Sequence, residues 1–140
     1  MTIPNLTASA TRRIIIVLAI TFFVQGYLSL RDKSLTWDEP VFIASGYTYL
    51  TRSDFRLNPG AQLLMQQLVA LPLLFLDLNV PSEDHISWQG ADHFGFARAF
   101  LDLNASKIRN IATLARLPIL IMGTFFIYLF GTWGVRIFAP

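Results

Sequence analysis

The chain has no cysteine. Disulfides, thiolate metal sites and cysteine nucleophiles are therefore excluded. It holds only two histidines among 140 residues, which leaves little material for a nitrogen-rich metal centre. Acidic residues are missing from both ends, because every Asp and Glu lies between Asp32 and Asp102. The flanking segments carry basic residues alone. No basic stripe accompanies the formal net charge of +2, so a nucleic-acid partner is not indicated. Internal repeats and low-complexity tracts are absent as well. What the chain does have is apolar surface, with 54% hydrophobic residues and a mean hydropathy of +0.49. A water-soluble domain of ordinary size needs more polar surface than that.

Apolar ends around an ionised middle point to two membrane segments and a loop. Residues 1–13 read as a mobile polar tail closing on Arg12 and Arg13, placed in the cytoplasm. Ile14–Leu30 runs without a charge and is long enough to span a bilayer. Within it Thr21, Gln25 and Ser29 recur every four residues, and Gly26 lies beside them. A polar stripe of that kind is expected to face further helices rather than lipid. Leu117–Val135 forms the second span, between Arg116 and Arg136. Pro118 is expected in its first turn, where a missing N–H costs nothing. Gly123, Ile127, Gly131 and Gly134 mark a face suited to close helix contact, and Tyr128 and Trp133 suit the membrane boundary. Residues 136–140 read as a turn cut short, as in a truncated frame.

The loop, 31–116, is expected on the extracytoplasmic side with helices near 41–51, 61–76 and 96–111. Pro40 suits the first turn of the first helix, and Asp38 and Glu39 complement its dipole. Leu68–Leu76 is too short to span and contains Pro72, so the second helix is expected at the membrane interface. Residues 77–95 read as irregular. The fold class is thus an all-α membrane protein, with two transmembrane helices flanking a long extracytoplasmic loop that carries two or three short interfacial helices.

Four sets of residues could carry chemistry. Asp38 and Glu39, adjacent and near a water–lipid boundary, suit a general base, a divalent cation held by oxygen ligands, or a helix cap. Arg52 and Arg56 flank Asp54 and suit either a lipid phosphate or surface ion pairs. Arg116 could meet a phosphate or snorkel along the bilayer edge. Asp84-His85 and Asp92-His93 match no metal-ligand spacing, and solvated loop histidines are the plainer reading. Asn5-Leu6-Thr7 and Asn104-Ala105-Ser106 fit the N-glycosylation pattern, which is common by chance.

Trp37-Asp38-Glu39-Pro40 followed by Val41–Leu50, then Asp54-Phe55-Arg56-Leu57-Asn58-Pro59 and Ala70-Leu71-Pro72, resembles the amino-terminal region of polytopic GT-C type glycosyltransferases. Within that class the likeness is to the protein O-mannosyltransferase and aminoarabinose transferase superfamily. Ala115-Arg116-Leu117-Pro118 is similar to the opening of that family's second helix. The resemblance implies further transmembrane helices, a polyprenyl-phosphate-linked sugar donor, and transfer to an extracytoplasmic acceptor at a bacterial inner (plasma) membrane. It implies Asp38 as the base that deprotonates the acceptor, Glu39 as its support, and Arg56 near the donor phosphate. One stretch departs from the family pattern. Asn-Pro is often followed there by Glu, a basic residue and Pro-Pro-Leu, where this chain has Gly60-Ala61-Gln62-Leu63-Leu64. That substitution argues against a divalent metal cofactor. The alternative function is a non-enzymatic two-span membrane module, a degenerate relative or partner subunit.

Overall fold

A computed structural model describes residues 7–138, apart from the side chains of Ala8 and Phe138. The first six residues of the expected tail and the last two of the expected turn lie outside the described residues. The described chain is all-helical and contains no strand. Six α-helices follow one another: α1 (Ala8–Leu30), α2 (Glu39–Arg52), α3 (Leu63–Ala70), α4 (Ile86–Gln89), α5 (His93–Leu103) and α6 (Ile108–Phe138). Short 3₁₀ turns cover Leu71–Phe75 and Ala105–Lys107.

Two compact units divide these elements, one of Leu30–Pro118 and one formed by the rest of α1 and α6. In the second unit α1 and α6 are the two helices long and apolar enough to cross a membrane. At 1.5 Å per residue, their 23 and 31 residues extend about 35 and 46 Å, against a hydrocarbon core of about 30 Å. They pack antiparallel. Ile15 faces Gly131, Phe22 faces Gly123, and Leu120 fills the space beside Gly26. Small residues let the backbones approach, and the glycines at 123 and 131 serve that purpose, whereas Gly134 faces open space. The Thr21, Gln25 and Ser29 stripe is exposed and away from this contact.

The Leu30–Pro118 unit is a small helical core. α2 packs against α3 and α5, and α6 contributes Ile111 and Ala115. Proline placement explains α2, which has Pro40 in its first turn, an acidic first turn and Arg52 in its last. It ends at Ser53 with φ 54°, a left-handed cap. α5 starts where the Asp92 side chain accepts the Gly95 N–H at 3.0 Å, and it buries Phe96, Ala97 and Phe100 on one face. α3 tightens to 3₁₀ at Leu71, since Pro72 has no N–H to continue the α-helical ladder. The combined apolar stretch Leu63–Phe75 is shorter than a span, and Gln66, Ala70 and Leu73 are buried in the core.

Several boundaries differ from those read off the sequence. α1 begins at Ala8, inside the expected tail. The stretch 96–111 is two helices, because Asn104 stops α5 by turning its side chain onto the Phe100 carbonyl at 2.7 Å. The segment 77–95 contains the single-turn helix α4 and the start of α5. α6 starts at Ile108, so Pro118 is interior to a helix and removes one rung of its ladder.

Candidate functional site

The carboxylates of Asp38 and Glu39 have separate fates. Glu39 is the first residue of α2, and its Oε2 accepts the Thr36 N–H at 2.7 Å. Arg116, on α6, then closes on it from 77 positions away. Its Nε donates to Oε1 at 2.8 Å and its Nη2 to Oε2 at 2.6 Å, a two-pronged pair. The remaining N–H groups of Arg116 donate to the carbonyls of Leu30, Lys33 and Ser34 at 3.0, 2.9 and 2.8 Å. A guanidinium has five N–H donors, and here every one is used. The side chains of Arg116 and Glu39 are only 16% and 29% exposed. Arg116, by hydrogen bond first, holds the Glu39 carboxyl below its ordinary value of 4.5 against the opposing effect of burial. Arg116 is therefore neither free for a phosphate nor snorkelling. It ties the end of α1 and the following turn to the start of α2.

Asp38 is different. It occupies the cap position of α2 but makes no side-chain cap hydrogen bond, and it is exposed. Among the described residues its carboxylate has no hydrogen-bond or ion-pair partner. Its backbone carbonyl accepts the N–H groups of Val41 and Phe42, so the residue is held while its side chain is left open. Its chain neighbours Trp37 and Pro40 line a cleft of about 500 Å³ with Phe94, Arg98 and Leu101 among its other walls. Trp37 is 83% exposed and meets Phe94 with ring centres 6.1 Å apart. Arg98 makes no ion pair among the described residues. The cleft thus offers aromatic faces, one guanidinium and, next in the chain, one open carboxylate.

Arg52 and Arg56 are drawn to a different place. Arg52 donates to the Pro81 carbonyl at 2.6 Å and lies 4.5 Å from the centre of the Trp88 ring. Arg56 lies 4.8 Å from the same ring and pairs with Asp54 at 2.7 Å. Together they fasten the segment after Pro81 to the end of α2. Both histidine motifs serve helix starts. The His85 Nδ1 accepts the Ser87 N–H at 3.3 Å, and Asp92 caps α5. No group of three or more metal-binding side chains occurs among the described residues. Gly60 sits in the Asn58–Ala61 turn with open space about it.

Two participants were missed in the sequence. Phe94 and Arg98 are four apart, a helical spacing that follows once Asp92 is taken as a cap. The tie between Glu39 and Arg116 carries no local signal at all. No family model, curated protein or solved structure matches the chain. The likeness to GT-C glycosyltransferases consequently rests on the residues quoted for it.

Proposed function

We propose that this chain is the amino-terminal part of a membrane glycosyltransferase that moves a sugar from a polyprenyl-phosphate-linked donor to an extracytoplasmic acceptor. The observation that carries it is the open carboxylate of Asp38, fixed at the start of α2 by the Glu39–Arg116 tie and flanked by an aromatic cleft. Asp38 is the base toward the acceptor hydroxyl. Glu39 supports it by holding the backbone rather than by sharing the proton. Trp37 and Phe94 suit a sugar face, and Arg98 suits a phosphate better placed than Arg52 or Arg56, which are engaged elsewhere. α1 and α6 cross the plasma membrane with Arg12, Arg13 and Arg136 on the cytoplasmic side, as the positive-inside rule favours. The exposed Thr21, Gln25 and Ser29 stripe supports further helices in the complete enzyme, since an amide in lipid needs a partner.

The test is sugar transfer from polyprenyl-phosphate donors by membranes containing the complete reading frame. Replacing a general base costs about 10²- to 10⁴-fold. Asp38→Asn should lower transfer by that order without changing the amount of folded protein. An unchanged rate would remove Asp38 from the mechanism. A second reading, a non-enzymatic two-span module, is favoured by Gly60 and its neighbours, which place no acidic group where the family pattern has one. Absence of transfer by the unaltered protein, with every donor offered, would select it.

A further inference from the structure

The seam between α1 and α6 holds two adjoining cavities that neither the proposed chemistry nor the helix packing uses. One, of about 480 Å³, is lined by Arg12 and Ile15 on α1 and by Tyr128, Thr132, Trp133 and Arg136 among others on α6. The next, of about 430 Å³, is lined by Ile16, Ala19, Ile20 and Phe23 against Ile121, Phe125 and Tyr128. Tyr128 belongs to both, so they form one groove with a cationic head and an apolar trough. Neither Arg12 nor Arg136 makes a hydrogen bond or ion pair among the described residues. No acidic residue exists within 19 positions of Arg12 or within 30 of Arg136. Thr124 on the trough's wall keeps its hydroxyl on its own helix, donating to the Leu120 carbonyl at 2.8 Å.

From this geometry we infer that the groove binds one anionic glycerophospholipid, its phosphate between Arg12 and Arg136 and one acyl chain along the trough. The inference rests on α1 and α6 spanning the membrane, and not on the proposed glycosyl transfer. Two guanidinium groups suit phosphate oxygens. Tyr128 and Trp133 belong at the level of lipid headgroups. From Tyr128 back to Ile121 the trough covers about 10 Å of helix, most of the roughly 15 Å depth of one leaflet. The occupant is a lipid rather than another helix because of where the polar residues lie. At about 100° per residue, Arg12, Ile16, Ile20 and Phe23 are centred on a flank of α1 about 175° from Thr21, Gln25 and Ser29. Helices are expected on the polar flank, and acyl chains on the apolar one.

The experiment is native mass spectrometry of the full chain in detergent, offered equal amounts of dioleoylphosphatidylglycerol and dioleoylphosphatidylcholine. One phosphatidylglycerol per chain should be retained, about tenfold over phosphatidylcholine, a preference of ~1.4 kcal/mol. Arg12→Gln and Arg136→Gln should each lower that retention about tenfold, while Arg13→Gln, outside the groove, should change it less than twofold. Ile20→Trp, at an exposed wall position, should reduce retention with both arginines intact. Equal retention of the two lipids would overturn the inference. So would a loss in Arg13→Gln as large as in Arg12→Gln, which means diffuse charge. Displacement by 50 mM inorganic phosphate would reduce the groove to a free-anion site and also overturn it. Circular dichroism of each variant, showing unchanged helix content, confirms that binding rather than folding is being read.

Discussion

Arg116 is the residue whose loss should be felt most widely. Arg116→Ala would remove five hydrogen bonds at once and leave the Glu39 carboxylate facing a partly buried space without a counter-charge. Hydrogen bonds to charged groups are worth about 1.5–3 kcal/mol each, but bonds made by one side chain do not add. Breaking a fully buried pair costs about 3–5 kcal/mol. The 29% exposure of Glu39 lets water take over part of its solvation, which places this substitution near ~3 kcal/mol. Lysine keeps the charge but not the fork, so Arg116→Lys should recover only part of the loss. Glu39→Gln preserves the shape and should cost less, ~1–2 kcal/mol. Because the groups touch, the double variant Glu39→Gln/Arg116→Met should be less destabilised than the two singles together, with a coupling above ~1 kcal/mol. The assay is reversible unfolding in mild detergent, followed by circular dichroism and tryptophan fluorescence, with Arg109→Ala as the exposed control. If Arg116→Ala lowers stability no more than Arg109→Ala, the tie does not hold the unit together.

The Glu39 carboxyl, held below its ordinary 4.5 by Arg116, contributes stability that is present above the unfolded value and lost as pH falls through the folded one. An acid titration of unfolding should therefore show stability declining below about pH 4.5, and Glu39→Gln should flatten that decline. Gly46 lies where a methyl group would overlap the Gln66 carbonyl of α3, so Gly46→Ala should cost at least ~2 kcal/mol, while Gly60→Ala, in open space, should be neutral or slightly stabilising in the same unfolding assay. Asn104 is 2% exposed and holds the Asn79 N–H and carbonyl at 2.9 and 2.8 Å, so Asn104→Leu should cost ~2–3 kcal/mol and speed hydrogen exchange in residues 77–80.

What could be read in the sequence follows from how far each signal travels along the chain. The two long apolar helices announce themselves through composition over about twenty residues. Short-range signals were equally legible, such as Pro40 opening α2. Side-chain interruptions were not. Asn104 ends α5 with its side-chain amide shared between the Phe100 carbonyl and Asn79, 25 positions earlier, and that distant partner leaves no local signal. Pro118 misled for a related reason. The hydrophobic pattern starts at Leu117, but the helix starts earlier, because Ile111 and Ala115 are claimed by the core of the Leu30–Pro118 unit. The contacts of Arg52 and Arg56 with Trp88 and of Arg52 with the Pro81 carbonyl likewise join distant parts of the chain, and no local pattern announces them.

The Asp38-Glu39 pair shows the same limit at its sharpest and points to a mechanism for holding a base. Two neighbouring carboxylates cannot be ranked by sequence, since both are acidic and both precede a helix. Successive residues at a helix start point in different directions. One can therefore be tied inward while the other is left outward. Arg116 selects Glu39, and in doing so neutralises the charge that would otherwise sit beside Asp38. The tie also sets position. In Arg116→Met the start of α2 loses its fastening to the turn that follows α1, and the backbone around Asp38 should loosen with it. Amide hydrogen exchange in detergent measures this. Exchange around Asp38 should speed in Arg116→Met and stay unchanged in Arg109→Met. If both variants leave it unmoved, the tie does not hold the base in place.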